Sequence, residues 1–498
     1  MSPKADRRID DFAPGDCVSF TRRYDSDDFK AFARLSGDRN PLHHDARYAR
    51  ATRFEKPIVP LHLAAAPLSA VAGMMLPGHR SLYLQSKQRA LGPVPYDQDI
   101  TYSAKVMAKN EAAATLSLRA IAFTGSEVLL EAEMLVQVRD DVPESLAPAW
   151  DADTQIERPG RRTVLLSGAT GEIGGAVARA LARARMNLVL LHRGRNEAVK
   201  ALKRDCKALG AEVATLSASL EDRRSLGRLC TTLAKRDDVT DVVHAASPGL
   251  EADPGELLRV NHGALVEIAE ALLPAMLRRQ AGHLLLLGSS AVQHNPKGWE
   301  AYVAAKTAAS HWVTAFDRRY GTFGLAGWVV APGYVDTAFS APYRDADKAC
   351  LLPEEVAEAV VACLTGEEQG AGRYLWLEPQ ARRFGSLAFR EAGAVAQPVD
   401  SASPAPAPES RANGLARPAS EAADAIRAFL QAGPEQDMSG AGIDQFPGWD
   451  SLRHIELMLY LEDRFGLSFT SGEIERTTQF GELCALVDGK LSDGRPRT

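Results

Sequence analysis

The middle of this 498-residue chain alternates short, almost continuously apolar segments with helical stretches. Apolar segments of this kind are typical of strands buried on both faces, and such strands form parallel sheets covered by helices. The pattern predicts an α/β multidomain protein whose central domain is a Rossmann-type, doubly wound parallel sheet. We expect its strands at residues 163–168, 188–192, 211–218, 241–246, 282–289 and 325–332.

Two composition shifts divide the chain. Proline and acidic residues interrupt the periodic pattern between residues 140 and 160, and residues 394–420 are rich in Pro, Ala and Ser with little to bury. The second stretch predicts an extended tether, and the helical segment after it predicts a small all-α bundle. The predicted boundaries are a first domain at 10–140, a linker at 141–160, a central domain at 161–385, a linker at 386–420 and a last domain at 421–492.

The composition excludes several classes of protein. Hydrophobic residues make up 45% of the chain and charged residues 24%, which is typical of a soluble globular protein. The formal net charge of −6 leaves no basic excess for a nucleic-acid partner. The six cysteines are dispersed without a CxxC pair, so we predict reduced thiols and no metal site. A polar amino end and the lack of a bilayer-length apolar run predict a cytoplasmic protein with no membrane partner.

A glycine-rich turn follows the first predicted strand of the central domain. Glycines at such a turn let a dinucleotide pyrophosphate approach the backbone at a helix N-terminus, although a purely structural turn can have the same composition. The second strand ends at Arg193 with no Asp or Glu beside it, which favours the 2′-phosphate of NADPH; a surface arginine without a ligand is the alternative. The candidate cofactor-binding residues of the turn are Gly168, Gly171, Ile173 and Gly174.

Tyr302 and Lys306 are four residues apart at the start of a predicted helix, so the phenol and the ammonium share one helix face. We expect the nearby cation to lower the phenol pKa and make tyrosine a proton donor near neutral pH. Ser289 ends a buried strand thirteen residues earlier, and Asn261 lies on the preceding helical segment. Together these residues resemble the short-chain dehydrogenase/reductase family, particularly its ketoreductases, over about residues 161–380.

The resemblance implies a role for each of these residues. Tyr302 would donate a proton to the substrate carbonyl oxygen, and Ser289, rather than the neighbouring Ser290, would hydrogen-bond that oxygen. Lys306 would bind the nicotinamide ribose and tune Tyr302, and Asn261 would hold the water of a proton relay. The chain departs from the family pattern at three places. Glu172 replaces a common glycine, Ser219 replaces a common aspartate, and the usual Asn-Asn-Ala-Gly stretch reads His-Ala-Ala-Ser from His244.

In the first domain, residues 37–43 read Gly-Asp-Arg-Asn-Pro-Leu-His after an amphipathic helix. Turn chemistry alone can explain the first five of them. With the apolar helix and strands that follow, the segment resembles the MaoC-type (R)-specific enoyl hydratases, which have a hot-dog (α+β) fold. The resemblance implies that Asp38 and His43 form the active dyad. Pro60 and Leu61 replace the His-Gly pair usual in the family, and we expect the Leu61 side chain to crowd the entrance for the acyl chain.

The last domain contains Asp450-Ser451-Leu452 at the start of a predicted helix. A capped helix explains such a tripeptide by itself. The whole segment is similar to acyl carrier proteins, and the resemblance implies that Ser451 carries covalent 4′-phosphopantetheine. A phosphopantetheinyl transferase would then be a partner. The tether would let the carrier reach both active sites at raised effective concentration.

These features predict an enzyme that reduces a 3-oxoacyl thioester with NADPH and dehydrates the product to the trans-2-enoyl thioester. The pathway would be polyketide, fatty-acid or hybrid biosynthesis, with chain extension by a separate ketosynthase. One alternative is hydration and oxidation of acyl-CoA in the reverse direction; another is an active reductase beside a non-catalytic hot-dog domain that docks the substrate. By resemblance we expect a homo-oligomer, either a dimer or a tetramer.

Overall fold

The computed structural model separates the chain into two compact units, Met1–Ala394 and Val395–Thr498. The residues that the structure describes are 7–143, 155–194, 197–343, 349–367, 373–379, 381–385, 421–430, 432, 438, 457–458, 460–461, 464–465, 467 and 479–493.

The first domain is an antiparallel sheet curved around a short helical segment. Its five strands are in the order β1-β3-β4-β5-β2. The helical segment begins with helices α3 and α4 and ends in a π-helical turn, and its buried Leu63, Leu68 and Val71 pack against the sheet. The Tyr102 hydroxyl donates a hydrogen bond of 2.6 Å to the carbonyl oxygen of Ala64, which fixes the segment to β3. The elements are β1 Cys17–Arg23, α1 Ser26–Ser36, α2 Ala46–Arg50, α3 Leu61–Ala65, α4 Pro67–Ala70, the π-helical turn Val71–Met75, β2 Ser81–Ala90, β3 Asp99–Asn110, β4 Thr115–Thr124 and β5 Glu127–Val138.

The central domain confirms the predicted doubly wound sheet. Its eight strands are in the order β13-β12-β11-β10-β9-β6-β7-β8, parallel except for the edge strand β13. All six predicted strands are present, whereas β12 and β13 were not predicted. The elements are β6 Thr163–Ser167, α5 Glu172–Arg183, β7 Asn187–His192, α6 Glu197–Ala208, β8 Val213–Ser217, α7 Arg223–Leu233, β9 Asp241–His244, α8 Pro254–Leu258, the π-helical turn Arg259–Gly263, α9 Ala264–Arg279, β10 Gly282–Leu287, α10 Ala291–His294, α11 Glu300–Tyr320, β11 Leu325–Pro332, α12 Pro353–Thr365, β12 Tyr374–Glu378 and β13 Ala381–Gly385.

The two domains of the first unit are joined at Gln280, the fully buried residue that ends helix α9. Its amide nitrogen donates to the backbone carbonyl oxygens of Ser103 and Arg119, both at 3.1 Å, and its amide oxygen accepts from Arg119 Nε at 2.7 Å. Its backbone carbonyl oxygen accepts from Lys105 Nζ at 3.1 Å. The sheet of the first domain therefore contacts the helical layer of the central domain through a buried hydrogen-bond network.

In the second unit the described residues include two helices, α13 Glu421–Leu430 and α14 Phe480–Asp493. Ile426 of α13 and Leu483 and Val487 of α14 belong to one buried cluster, which also includes Leu457 and Leu461. Both helices overlap the helical segment that the sequence predicts after the tether. Of all the helices described in this chain, none has the combined length and apolar character needed to cross a bilayer.

Candidate active sites

The glycine-rich turn between β6 and α5 has the backbone geometry that its sequence predicts. Gly168 has φ +71°, and a Cβ atom there would lie 2.6 Å from the backbone nitrogen of Ala246. A Cβ on Gly174 would overlap the carbonyl oxygen of Gly168, and Gly171 is the N-cap of α5. The turn, including Ile173, lines a cavity of about 640 Å³ at the carboxyl ends of the strands. This is where doubly wound sheets bind their ligands.

Glu172 links this turn to the opposite wall of the cavity. Its carboxylate accepts a hydrogen bond of 2.7 Å from the backbone nitrogen of Ala338, in the segment that follows β11. The sequence marked Glu172 as a departure from the family pattern but gave it no partner. A glycine at position 172 could not make this contact, which fixes the segment beside the predicted catalytic residues.

Tyr302, Ser289 and Lys306 meet in the same cavity. The Ser289 hydroxyl is close enough to the Tyr302 phenol to influence its pKa, and Lys306 Nζ lies 5.8 Å from the centre of the Tyr302 ring. Lys306 Nζ also donates to the carbonyl oxygen of Leu287 at 2.8 Å. Ser290, the competing serine, begins the short helix α10. The arrangement brings a proton donor, a hydrogen-bonding hydroxyl and an amine together at one point.

The expected lowering of the Tyr302 pKa by Lys306 is wrong for this structure. Burial raises the pKa of Tyr302 to about 12, and the neighbouring Ser289 hydroxyl offsets part of the rise. Burial also lowers the pKa of Lys306 to about 7, so near neutral pH much of the lysine carries no charge to stabilise a phenolate. The phenol therefore holds its proton throughout the physiological range.

Asn261 lies in a π-helical turn, a distortion that is frequent at functional sites. Its amide nitrogen donates to the carbonyl oxygen of Leu257 at 2.9 Å, while its Oδ1 is buried without a hydrogen-bond partner among the described residues. The turn is held by His244, whose Nε2 donates to the carbonyl oxygen of Val260 at 2.9 Å and whose Nδ1 accepts from Ser167. A buried, unpartnered amide oxygen fits the water-holding role that the resemblance implies.

Arg193 lies directly after β7, and its guanidinium forms an ion pair with Glu221, which precedes α7. The arginine side chain is 72% exposed, so an incoming phosphate can reach it. The sequence did not identify Glu221 as a partner, because the two residues are far apart along the chain and meet only when β7 and β8 pair. Glu221 would compete with a bound phosphate for the arginine.

The predicted dyad of the first domain is more open. His43 Nε2 and Asp38 Oδ2 lie 4.0 Å apart, which is longer than a hydrogen bond. His43 Nδ1 donates to the carbonyl oxygen of Ile58 at 2.8 Å, so the neutral ring keeps its lone pair on Nε2. One oxygen of Asp38 accepts from the backbone nitrogen of Asn40 at 2.9 Å. The backbone thus orients both side chains toward a common space without joining them directly.

A cavity of about 970 Å³ adjoins His43. Phe29, Pro57 and Tyr96 are among the residues that line it, whereas Leu61 is half-buried against the hot-dog core and does not line it. Whether Leu61 crowds the entrance for the acyl chain stays a prediction. Ser451, the predicted attachment point of the phosphopantetheine, lies outside the described residues.

The first domain is similar to known proteins over most of its length. Residues 11–120 match the family described as MaoC like domain. Over 123 residues the chain is 37% identical to the (R)-specific enoyl-CoA hydratase of Aeromonas caviae, an alignment that covers 23% of this chain and 92% of that protein. The chain belongs to the MaoC-like family.

The central domain of this MaoC-like protein matches a second family, described as short chain dehydrogenase, over residues 162–348. Over 109 residues it is 32% identical to an uncharacterized oxidoreductase of Staphylococcus aureus (strain USA300); the alignment covers 22% of this chain and 47% of that protein, about half its length. A crystal structure of 3-oxoacyl (acyl-carrier-protein) reductase from Agrobacterium tumefaciens C58 with NADP bound is 24% identical with a TM-score of 0.40, covering 44% of this chain and 93% of that one. The MaoC-like protein therefore also contains a short-chain dehydrogenase domain.

Proposed function

We propose that this protein reduces a 3-oxoacyl thioester to the 3-hydroxyacyl thioester with NADPH and then dehydrates it to the trans-2-enoyl thioester. The observation that carries the proposal is the meeting of Tyr302, Ser289 and Lys306 in the cavity lined by the glycine-rich turn. The match of the first domain to an (R)-specific enoyl-CoA hydratase supports the second reaction.

The reduction needs a proton donor at the carbonyl oxygen while the carbon receives a hydride. The glycine-rich turn and Lys306 would hold the dinucleotide, which is the hydride source when bound. Tyr302 gives its phenol proton to the oxygen, and the Ser289 hydroxyl hydrogen-bonds the same oxygen as negative charge develops there. Asn261 Oδ1 would hold a water that passes a replacement proton toward Tyr302.

The dehydration needs a base for the proton on C2 and a proton for the hydroxyl that leaves C3. His43 Nε2 has the lone pair for the first step, because its other nitrogen holds the ring proton. The proton taken from C2 returns to the departing hydroxyl, which leaves as water, so no other reactant is consumed. Asp38 contributes a carboxylate 4.0 Å from Nε2, close enough for both groups to contact one reacting centre.

Two observations favour the reductive direction over acyl-CoA oxidation. A phenol whose pKa is raised to about 12 keeps its proton near neutral pH, which is the form from which reduction starts, whereas oxidation starts from the phenolate, a form that is scarcely populated there. The exposed Arg193 suits the 2′-phosphate of NADPH. Replacing Arg193 by Ala is expected to raise KM for NADPH while leaving KM for NADH unchanged; equal effects on both cofactors would remove this support.

The substrate carrier completes the proposal. We propose that Ser451 carries 4′-phosphopantetheine added by a transferase, that a separate ketosynthase extends the acyl chain, and that the protein forms a homo-oligomer. Loading Ser451 with a 3-oxoacyl pantetheine and adding NADPH is expected to give a gain of two hydrogens and then a loss of water in the mass of the arm. An enoyl-loaded sample in parallel is expected to take up water.

The same experiment distinguishes the remaining candidate. A gap of 4.0 Å between Asp38 and His43 also fits a first domain that docks substrate without chemistry. Arrest at the hydroxyacyl stage, with no hydration of the enoyl arm, would establish that second function. An unreduced arm, together with no turnover of the same substrate as a free thioester, would overturn the assignment of Tyr302.

A further inference from the structure

The reductase cavity has a wall of aromatic side chains beside the catalytic tyrosine. Trp299 is at its centre and makes edge-to-face contacts with Tyr302 at 6.0 Å, Tyr334 at 6.3 Å and Tyr343 at 5.4 Å between ring centres. Phe339 lies 6.5 Å from Tyr302. We call Trp299, Tyr334, Phe339 and Tyr343 the aromatic wall.

Trp299 occupies a position where the sequence rules favour a different residue. It is the N-cap of α11, where Ser, Thr, Asp or Asn usually satisfies the free backbone donors, and its side chain makes no cap hydrogen bond. The helix therefore starts without a side-chain cap and places an indole at the cavity instead. Violations of local rules of this kind are expected where a residue serves the site.

The backbone next to Phe339 is fixed by a hydrogen bond, although the Phe339 ring is partly exposed to solvent. The ring is 43% exposed, and Tyr334 is 37% exposed, yet Trp299, Tyr334 and Phe339 all line the cavity. The backbone before Phe339 is fixed by the bond from Ala338 to Glu172. Large apolar rings left partly in water beside a catalytic group favour an apolar ligand that covers them.

We infer that the acyl group of the preferred substrate has an aromatic or conjugated planar group close to the ketone. This inference rests on the proposed function, since it places the ketone oxygen at Tyr302 and the adjoining acyl carbons against the aromatic wall. Aromatic pairs gain stabilisation beyond the area they bury when rings meet edge-to-face or offset. Each ring contact of the substrate is worth about 2- to 10-fold in kcat/KM relative to a saturated ring of the same size.

A matched pair of substrates isolates this preference. The 3-oxo-5-phenylpentanoyl and 3-oxo-5-cyclohexylpentanoyl thioesters of N-acetylcysteamine have the same ketone, and their rings have the same number of carbons. With the full-length protein and NADPH, kcat/KM is expected to be higher for the phenyl substrate. Trp299→Leu and Phe339→Leu are each expected to lower the phenyl-to-cyclohexyl ratio by about 2- to 10-fold.

Two further variants control for folding and for general loss of a ring. Trp312→Leu removes a tryptophan from the same helix, α11, that packs on Phe316 away from the cavity, and it is expected to keep the wild-type ratio. Trp299→Phe keeps an aromatic ring in the aromatic wall and is expected to retain most of the preference for the phenyl substrate. Circular dichroism and titration of NADPH fluorescence check that each variant is folded and binds cofactor.

The outcomes separate this inference from the proposed function. A wild-type ratio at or below one, or a ratio unchanged in both wall variants, would overturn the inference while the reductase assignment stands. Reduction of 3-oxobutanoyl thioester without reduction of either ring substrate would do the same. If no 3-oxoacyl thioester is reduced by a protein that binds NADPH, the proposed function fails and the inference fails with it.

Discussion

The two candidate sites of this chain differ in how deeply their side chains are buried. In the reductase domain Tyr302 is 7% exposed and Lys306 is 3% exposed. In the hot-dog domain the side chains of His43 and Asp38 are 13% and 37% exposed and do not hydrogen-bond each other. Buried groups act in a low dielectric and need little rearrangement, whereas solvated charges are screened. The reductase site is therefore already organised, and the hot-dog site depends more on its substrate to complete it.

The strongest test of this contrast is removal of the buried acid. Tyr302→Phe is expected to lower kcat for ketone reduction by about 10²- to 10⁴-fold, because the phenyl ring has no proton to donate. Hydration of an enoyl thioester by the same variant should be unchanged. Stopped-flow or steady-state NADPH absorbance measures the first reaction and ultraviolet absorbance of the enoyl thioester the second. Residual reduction near the wild-type rate would show that another group supplies the proton.

Loss of a member of the open dyad is expected to have a smaller effect. Asp38→Asn should slow hydration and dehydration by about 10²-fold, the lower end of the range for a positioned acid or base. The variant keeps a side-chain oxygen that can accept from the backbone nitrogen of Asn40, so the turn should persist. Reduction serves as the internal control. A full rate of hydration in the variant would assign the first domain to docking.

The contact between the two domains can be weakened without touching either site. Gln280→Ala leaves Arg119 Nε and the buried Ser103 carbonyl oxygen without this partner. Each buried polar group left unsatisfied costs about 1–3 kcal/mol, so the free energy of unfolding should fall by that order. Denaturant titration measures it. Gln280→Glu keeps an oxygen that can accept from Arg119, so its free energy of unfolding should fall by less. Equal decreases in the two variants would contradict the assigned hydrogen bonds.

The smallest expected effect concerns the pH dependence of folding stability. Burial lowers the pKa of Lys306 to about 7 from its usual value near 10.5. Between these two pH values the unfolded chain binds more protons at this residue than the folded chain, so its contribution to stability rises with pH from about 7 to about 10.5 and levels off below 7, where both states are protonated. Lys306→Met removes this dependence. The midpoint temperature of thermal unfolding should therefore rise less steeply between pH 7 and pH 9 for the variant than for the wild type. Parallel curves for the two proteins would contradict a buried neutral lysine.

The sequence predicted the parts of the molecule that depend on neighbours along the chain. The apolar strands, the glycine turn and the spacing of Tyr302 and Lys306 are local signals, and the structure brings these residues together. Strand β13 escaped prediction because an edge strand with polar side chains lacks the apolar run of a buried strand. The bond from Glu172 to Ala338 joins residues far apart in sequence, and no local pattern encodes it.

The same reasoning explains the error at the Tyr302 site. Spacing placed Lys306 beside Tyr302 but could not show that burial would leave the lysine largely neutral and raise the phenol pKa. The direction of the Leu61 side chain likewise depends on how α3 packs against the first domain's core, which residue type alone does not give. Solvation and orientation are set by tertiary packing.

The hydrogen bonds of Gln280 between the first and central domains constrain the path of the proposed 3-hydroxyacyl intermediate. Because β3 and β4 of the first domain are bonded to the end of α9, the distance from Tyr302 to His43 within this unit is a fixed property of the fold. In the proposed reaction sequence, a 3-hydroxyacyl group leaving one site would have to cross that distance to reach the other. The competition between its escape and the second reaction would then depend on the length of the proposed pantetheine arm.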